Sequence, residues 1–156
     1  MDKQIKNLLT IGGAFLAIRL YKLYKLGESI VYKPVGISFI RGKSLDDFVV
    51  RIKMELFNPT ATTLHMRGVD GILMIENQTI GTFYSAPFDI KGGNNYFYLN
   101  FQIDPKNVGT NIIQSLINKS VPMFIVEMNK RLTFFSMKER FAVNPKNVDT
   151  SNTIVK

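Results

Sequence analysis

The segment FVVRIKMELFNP, residues 48–59, decides the fold class because its apolar and polar residues alternate with a period of two. Successive side chains of a strand point to opposite faces, so this alternation predicts an antiparallel strand that is buried on one face. The segment ends at Asn58-Pro59, where proline cannot donate to a ladder and asparagine readily bonds its local backbone. The predicted inward residues are Phe48, Val50, Ile52, Met54 and Leu56.

The same period recurs along the chain after this segment. Phe97, Leu99, Phe101 and Ile103 alternate with polar or tyrosine residues and follow a turn at 92–94, which predicts a second clear strand. Shorter strands are predicted at 63–66, 69–76, 79–83 and 88–90, and two more at 123–128 and 131–137. A tight turn at Asn129-Lys130 is predicted to join the last two, and continuation of the second to Val143 is left open.

This spacing predicts a mainly β chain folded as an antiparallel β-sandwich. One helix interrupts the strands, because Asp104-Pro105 opens a segment with one apolar face that runs to Asn118. The predicted division is an N-terminal helix at 1–27, a sandwich domain at 28–143 and a polar C-terminal tail at 144–156.

The N-terminal segment is predicted to form one helix over residues 3–26, with Asp2 as its N-cap and Gly27 as its C-cap. Residues 7–18 carry no charge, and Arg19, Lys22 and Lys25 then recur as a basic flank. The first half is apolar all round and the second is amphipathic. The residues predicted to anchor the chain are Leu8, Leu9, Ile11, Gly12, Gly13, Phe15, Leu16 and Ile18.

Three interpretations of this helix remain open. The first is a helix buried against other protein subunits, with Gly12, Gly13, Ala14 and Ala17 as a strip for close packing. The second is a membrane anchor through residues 1–26; its uncharged window is shorter than the roughly 20 residues that a bilayer core requires. The third and weakest is a secretory signal, because the small-residue cleavage pattern is missing.

Composition narrows the class of partner. The chain has 156 residues, no cysteine and a formal charge of +8, and five of its Lys and Arg residues lie within residues 1–26. The remaining charges of both signs are interspersed, which is typical of a solvated surface rather than of a phosphate-binding face. Nucleic-acid binding is therefore disfavoured, and neither a disulfide nor a thiolate metal site can form.

Three motifs resemble a known family: MELFNPT at 54–60, VDGIL at 69–73 and NQTIG at 77–81. Together with the strand at 98–103 and the helix after it, they resemble the late embryogenesis abundant type 2 domain, also called the water-stress and hypersensitive-response domain. The resemblance spans about residues 30–143. It implies an immunoglobulin-like or fibronectin-like sandwich with an added helix, no enzymatic activity, and in many members a tether through an N-terminal apolar segment.

A search for catalytic chemistry gives no candidate. His65 is the single histidine, and its place in a predicted strand favours a solvent-facing side chain over a catalytic or ligating one. No nucleophile elbow, phosphate loop or dinucleotide fingerprint is found in the sequence. Tyr96 and Tyr98 are predicted to face outward, as a partner patch or a stacking platform. We therefore expect no catalytic residue, no metal site and no cofactor.

The leading hypothesis is a non-enzymatic structural subunit that docks into a larger assembly, for example a phage virion, through its helix and its sandwich. Its partners are then other protein subunits, in a homo-oligomer or a multi-protein assembly. The alternative is a membrane-anchored, late-embryogenesis-abundant-like binding domain of a bacterial envelope. A virion or an envelope is favoured over a free cytoplasmic monomer.

Overall fold

The computed structural model describes residues 3–41, 48–103, 108, 114, 123–132, 135–145 and 149–153. The side chains of 3–12, 41 and 149–153 are outside this description. One helix precedes nine strands: α1 (Lys3–Ser29), β1 (Val31–Arg41), β2 (Phe48–Asn58), β3 (Leu64–Ile75), β4 (Gln78–Tyr84), β5 (Phe88–Ile90), β6 (Gly93–Ile103), β7 (Phe124–Leu132), β8 (Ser136–Val143) and β9 (Asp149–Thr153).

The strands form one continuous sheet with the order β8-β7-β3-β4-β6-β2-β1-β9, and β5 pairs with β3 beside this path. All pairings are antiparallel except that of β1 with β9. The mainly β class with a separate N-terminal helix is confirmed. The predicted sandwich is not found as two separate sheets, because β4 joins the two halves through hydrogen bonds.

That junction is narrow: β4 meets β6 only at Gly81 opposite Ile103 and Thr82 opposite Gln102. A Cβ at Gly81 would lie 2.8 Å from the Gln102 carbonyl oxygen, so glycine allows the two backbones to approach. The sheet curls strongly about this junction. We call β3, β4, β5, β7 and β8 the first half, and β1, β2, β6 and β9 the second half.

The core lies on the concave face of the curled sheet, where side chains of the two halves meet. The Phe83 and Phe101 rings contact across the junction with centroids 5.7 Å apart. In β2 the five residues predicted to face inward are all buried, as are Leu99, Phe101 and Ile103 of β6. The alternation in the sequence therefore placed both strands correctly, because each second side chain reaches one shared core.

The two outer edges of the sheet approach each other. Only residues 144–148 separate the end of β8 from the start of β9, and a chain of that length spans at most about 20 Å. Yet β8 and β9 lie at opposite ends of the strand order. Closing that distance requires the sheet to bend round its core.

Three predictions about local elements are corrected. Asn129 and Lys130 lie inside β7 rather than in a turn. The strands predicted at 63–66 and 69–76 are one strand, β3, whose register shifts beside Gly68, where φ is +142°. Helix α1 continues through Gly27 to Ser29, because Gly27 does not adopt the positive φ of a left-handed cap; a Cβ there would lie 3.0 Å from Met137 Sδ, on a flexible side chain.

Two further predicted segments are the helix after Asp104 and the C-terminal tail. The helix predicted after Asp104 lies almost wholly outside the described residues, as does the proposed N-cap Asp2. Within the predicted tail, β9 pairs in parallel with β1. A strand added at a sheet edge is held by backbone hydrogen bonds, so it needs no apolar alternation that the sequence would reveal.

Candidate docking site

Helix α1 is attached to the sheet through its C-terminal turns. Leu26 is buried and Leu23 packs against the core, while the Tyr24 and Phe135 rings contact at 5.7 Å between centroids. The Ser29 hydroxyl donates to the Leu26 carbonyl oxygen at 2.8 Å, which satisfies one acceptor where the helix ends. These contacts fix the direction in which the helix leaves the body.

The preceding turns of α1 are exposed on every side. All described side chains from 13 to 19 are exposed, including Phe15 at 71%, Leu16 and Ile18, and a Cβ at Gly13 would have nothing within 4 Å. Leu8, Leu9, Ile11 and Gly12 lie in the helical backbone, but their side chains are outside the description. With 27 residues the helix is about 40 Å long, so much of it extends from the body.

The basic flank of α1 is only partly neutralised. Lys25 Nζ lies 3.0 Å from Glu28 Oε2, and hydrogen bonds from Tyr24 and Lys25 lower the pKa of the Glu28 carboxyl. In the described part of the chain, no ion pair is found for Arg19 or Lys22. Arg19 and Lys22, without a counter-charge among the described residues, therefore lie between the exposed apolar turns and the body.

A groove of ≈ 950 Å³ runs between α1 and the end of the sheet. Its apolar wall includes Leu16, Leu23, Leu64 and Phe135, and its polar rim includes Arg19, Lys22 and threonines of the loop after β2. The exposed apolar turns of the helix thus continue into a concave surface. Together they form the candidate docking site.

The Asn58-Pro59 turn shapes one side of this groove. The buried Asn58 side chain donates through Nδ2 to the Thr62 carbonyl oxygen at 2.8 Å and the Ile90 carbonyl oxygen at 3.4 Å. Its Oδ1 accepts from the Thr60 N–H at 3.0 Å and from the Thr60 hydroxyl at 2.9 Å. This one amide therefore ties the end of β2, the following loop and β5 together, and the motif has a structural role.

A partly buried ionic cluster that the sequence did not predict lies on the concave face near the sheet edges. Lys130 Nζ contacts Glu139 Oε2 at 2.6 Å and lies 4.2 Å from the centroid of the Tyr32 ring. The Lys130 side chain is only 6% exposed. Since Tyr32 belongs to the second half and the other two residues to the first, the cluster connects the two halves.

Burial, together with the nearby Glu139 carboxylate, raises the pKa of Tyr32 above its ordinary value of 10.0. The stabilisation from this shift is complete below pH 10 and is lost as the pH rises toward the folded-state pKa, because the unfolded tyrosine ionises first. We expect the free energy of unfolding to fall above pH 10 by up to about 1.4 kcal/mol per pH unit from this residue. Urea denaturation at pH 9 to 11 should show a shallower decline for Tyr32→Phe; parallel curves for both proteins would contradict the assignment.

The outer face of β2 and β6 carries the predicted tyrosines. Tyr96 and Tyr98 are exposed, as expected, but each ring is flanked by a cation of β2: Lys53 Nζ lies 4.9 Å from the Tyr96 centroid and Arg51 Cζ 5.4 Å from that of Tyr98. His65 is exposed as predicted, and its Nδ1 lies 2.6 Å from Asp89 Oδ1 on the neighbouring strand. The cations beside the tyrosines were not predicted, although the register of the two alternating strands would have indicated them.

In the described part of the chain, no group of three or more His, Cys, Asp or Glu side chains could hold a metal ion. Within the same residues, no helix combines the length and the apolar composition that crossing a bilayer requires.

The fold recurs among solved structures. A crystal structure of a protein from Archaeoglobus fulgidus matches with a TM-score of 0.50 and 8% identity, covering 74% of this chain and 90% of that one. The solution structure of a late embryogenesis abundant protein matches with a TM-score of 0.42 and 16% identity, covering 90% and 82%. At 8% identity the first match shows a likeness of fold alone. No family model matches the chain, and no curated protein is significantly similar to it in sequence.

Proposed function

We propose that this chain is a non-enzymatic interaction subunit that docks onto another protein through α1 and the adjoining groove. The observation that carries the proposal is the exposure of Phe15, Leu16 and Ile18 on a helix whose C-terminal turns are packed on the sheet. The sheet serves as the rigid body that presents this helix.

The physical reason is the cost of leaving these side chains in water. Burying a large apolar side chain stabilises a complex by about 1.5–3 kcal/mol, before the cost of ordering is subtracted. Phe15, Leu16 and Ile18 lie within about one turn of helix, so they form a patch rather than scattered exposed residues. Such a patch marks a surface that a partner covers.

A protein partner fits the groove because its lining combines an apolar wall with a polar rim. Protein interfaces have an apolar centre and a polar periphery, and here the centre is Leu16, Leu23 and Phe135 while Arg19 and Lys22 lie at the rim. These two cations, for which the described residues supply no counter-charge, favour a partner with carboxylates at the matching positions. An acidic, apolar segment of another subunit satisfies both requirements.

A second candidate function, a membrane-anchored binding domain, is favoured by the order of residues along α1. The apolar turns end at Ile18, and Arg19, Lys22, Tyr21 and Tyr24 follow at once. Cations and tyrosines in such a band are typical of the headgroup region of a bilayer. Here the same exposed side chains would contact lipid instead of protein.

The double variant Phe15→Gln/Ile18→Gln tests the proposal on the full chain. We expect it to weaken assembly by about tenfold or more, because two side chains lose their apolar contacts. The matched control is Phe57→Gln/Met123→Gln, which alters two exposed apolar residues that belong neither to α1 nor to the groove lining. Both are compared with the parent by fractionating source cells, washing the membranes with carbonate and sizing the soluble fraction by light scattering.

The outcomes separate the two functions. A large soluble particle that is lost in the helix variant and kept in the control supports docking into a protein assembly. Retention of the parent in carbonate-washed membranes overturns this proposal in favour of the membrane anchor. A soluble monomer for the parent overturns both.

A further inference from the structure

Among the residues that the structure describes, strand β6 has an open edge along most of its length. It pairs with β2 from end to end, but on its other side β4 reaches only Gln102 and Ile103. In an antiparallel sheet, alternate residues direct their N–H and C=O groups away from a given neighbour. Within the described residues, no strand accepts or donates the outward-directed bonds of residues 94–100.

This edge is also unprotected by its sequence. The strand reads GNNYFYLNFQI, without charge or proline, whereas soluble proteins usually protect an exposed edge with charges, proline or short length. The other edges of the sheet follow that rule: β8 carries Lys138, Glu139 and Arg140, and β9 has only five residues. An unguarded edge of this length is a template for an added strand.

The side chains beside the edge determine which strand fits. On the concave side, the half-buried Phe97 stacks on Phe88 of β5 with centroids 5.4 Å apart, so an added strand would place apolar residues there. On the convex side are Tyr96 and Tyr98 with the cations of Lys53 and Arg51 over their rings. Glu55, which accepts from the Tyr96 hydroxyl at 3.1 Å, is the sole acidic residue of β2 and β6.

We propose that residues 94–100 of β6 bind an extended segment of a partner protein by strand addition, and that this segment alternates apolar with acidic residues. The backbone of β6 supplies affinity through a new ladder, while the Phe97 side selects apolar residues and the Lys53 and Arg51 side selects carboxylates. A second copy of this chain fits less well, because pairing β6 with β6 would bring the two sets of cations together. The surface is separate from α1, so this inference does not depend on the proposed function.

The probe is a capped nine-residue peptide that alternates glutamate with valine, titrated into the full-length protein at low salt and followed by NMR. We expect shifts and slowed hydrogen exchange at amides 94–100, and affinity about tenfold above that of the matching lysine–valine peptide. Two further peptides carry N-methyl groups on the valines or on the glutamates. Because alternate N–H groups face opposite sides of a strand, one of these two must lose binding and the other must keep it.

Lys53→Glu should reverse the preference between the acidic and the basic peptide, while Lys138→Glu, an exposed charge reversal on β8, should leave it unchanged. Equal behaviour of the two N-methylated peptides, or no binding of the acidic peptide, overturns the proposal. Protection of 94–100 that rises with protein concentration in the absence of peptide overturns it in favour of self-pairing. The peptide affinities and the hydrogen exchange at amides 94–100 should be the same in the Phe15→Gln/Ile18→Gln variant.

Discussion

Replacing Asn58 with aspartate is expected to lower the free energy of unfolding by about 3 kcal/mol. The Asn58 amide donates to two backbone carbonyl oxygens and is itself 1% exposed. A carboxylate has no donor to offer, so the Thr62 and Ile90 carbonyls lose their partner and face a negative charge instead. An unsatisfied buried acceptor costs about 1–3 kcal/mol, and the buried charge adds to this.

The same variant should regain stability as the pH falls. A carboxyl that is buried against carbonyl oxygens favours its protonated form, so its pKa in the folded variant should be raised. The deficit should therefore be smaller at pH 4 than at pH 7, because the protonated group again supplies a donor. Urea denaturation at both pH values measures this, with Asn94→Asp on exposed β6 surface as the matched control, which should change stability by less than about 0.5 kcal/mol. A loss below 1 kcal/mol in Asn58→Asp at pH 7 would show that these bonds do not hold the turn.

Local patterns in the sequence predicted the strands and their inward faces well. In β2 and β6, the alternation of side chains is a property of each strand by itself, and the one buried face follows from it. The Asn58-Pro59 turn is equally local, since the Thr60 and Thr62 partners of the amide lie within four residues of it. Such features need no knowledge of what the strand packs against.

Features that depend on distant residues were not predicted. The curl of the sheet is set where β4 meets β6 at Gly81, and nothing in the sequence around Gly81 identifies Ile103 as its partner. Gly27 has the position of a helix cap, but the helix continues through it to Ser29, beside the Met137 side chain of a distant strand. The exposure of Phe15 and Ile18 follows from the direction of α1, which its C-terminal contacts fix.

Lys130 is the clearest example of a residue whose place in the structure depends on distant residues. Asparagine, as at position 129, is typical of a turn, yet Lys130 after it occupies an inward position of β7 between Met128 and Leu132. Its charge is accommodated because Glu139 of β8 and Tyr32 of β1 are close to it. The inward position of Lys130 in β7 could not have been predicted without knowing that Glu139 and Tyr32 lie close to it.

The second large effect concerns the cluster of Lys130, Glu139 and Tyr32. Substitutions of its two charged residues should lower the free energy of unfolding by unequal amounts. Glu139→Leu should destabilise the fold by about 3 kcal/mol, because it leaves the Lys130 ammonium buried without a counter-charge. Lys130→Met should cost less than about 1 kcal/mol, because methionine fills a similar volume and the Glu139 side chain, 33% exposed, can be solvated. The buried charge, rather than the ion pair itself, therefore determines the larger loss.

The double variant Lys130→Met/Glu139→Leu distinguishes this explanation from simple loss of packing. If the cost of Glu139→Leu comes from the unpaired ammonium, removing the ammonium as well should restore most of the stability, to within about 1 kcal/mol of the parent. Urea denaturation of the four proteins gives the coupling energy directly. Additive losses would mean that Glu139 stabilises the edge of the sheet through its own packing. In that case the apolar core alone would stabilise the contact between the two halves. The Lys130 charge would be tolerated at its buried position without stabilising the curled sheet.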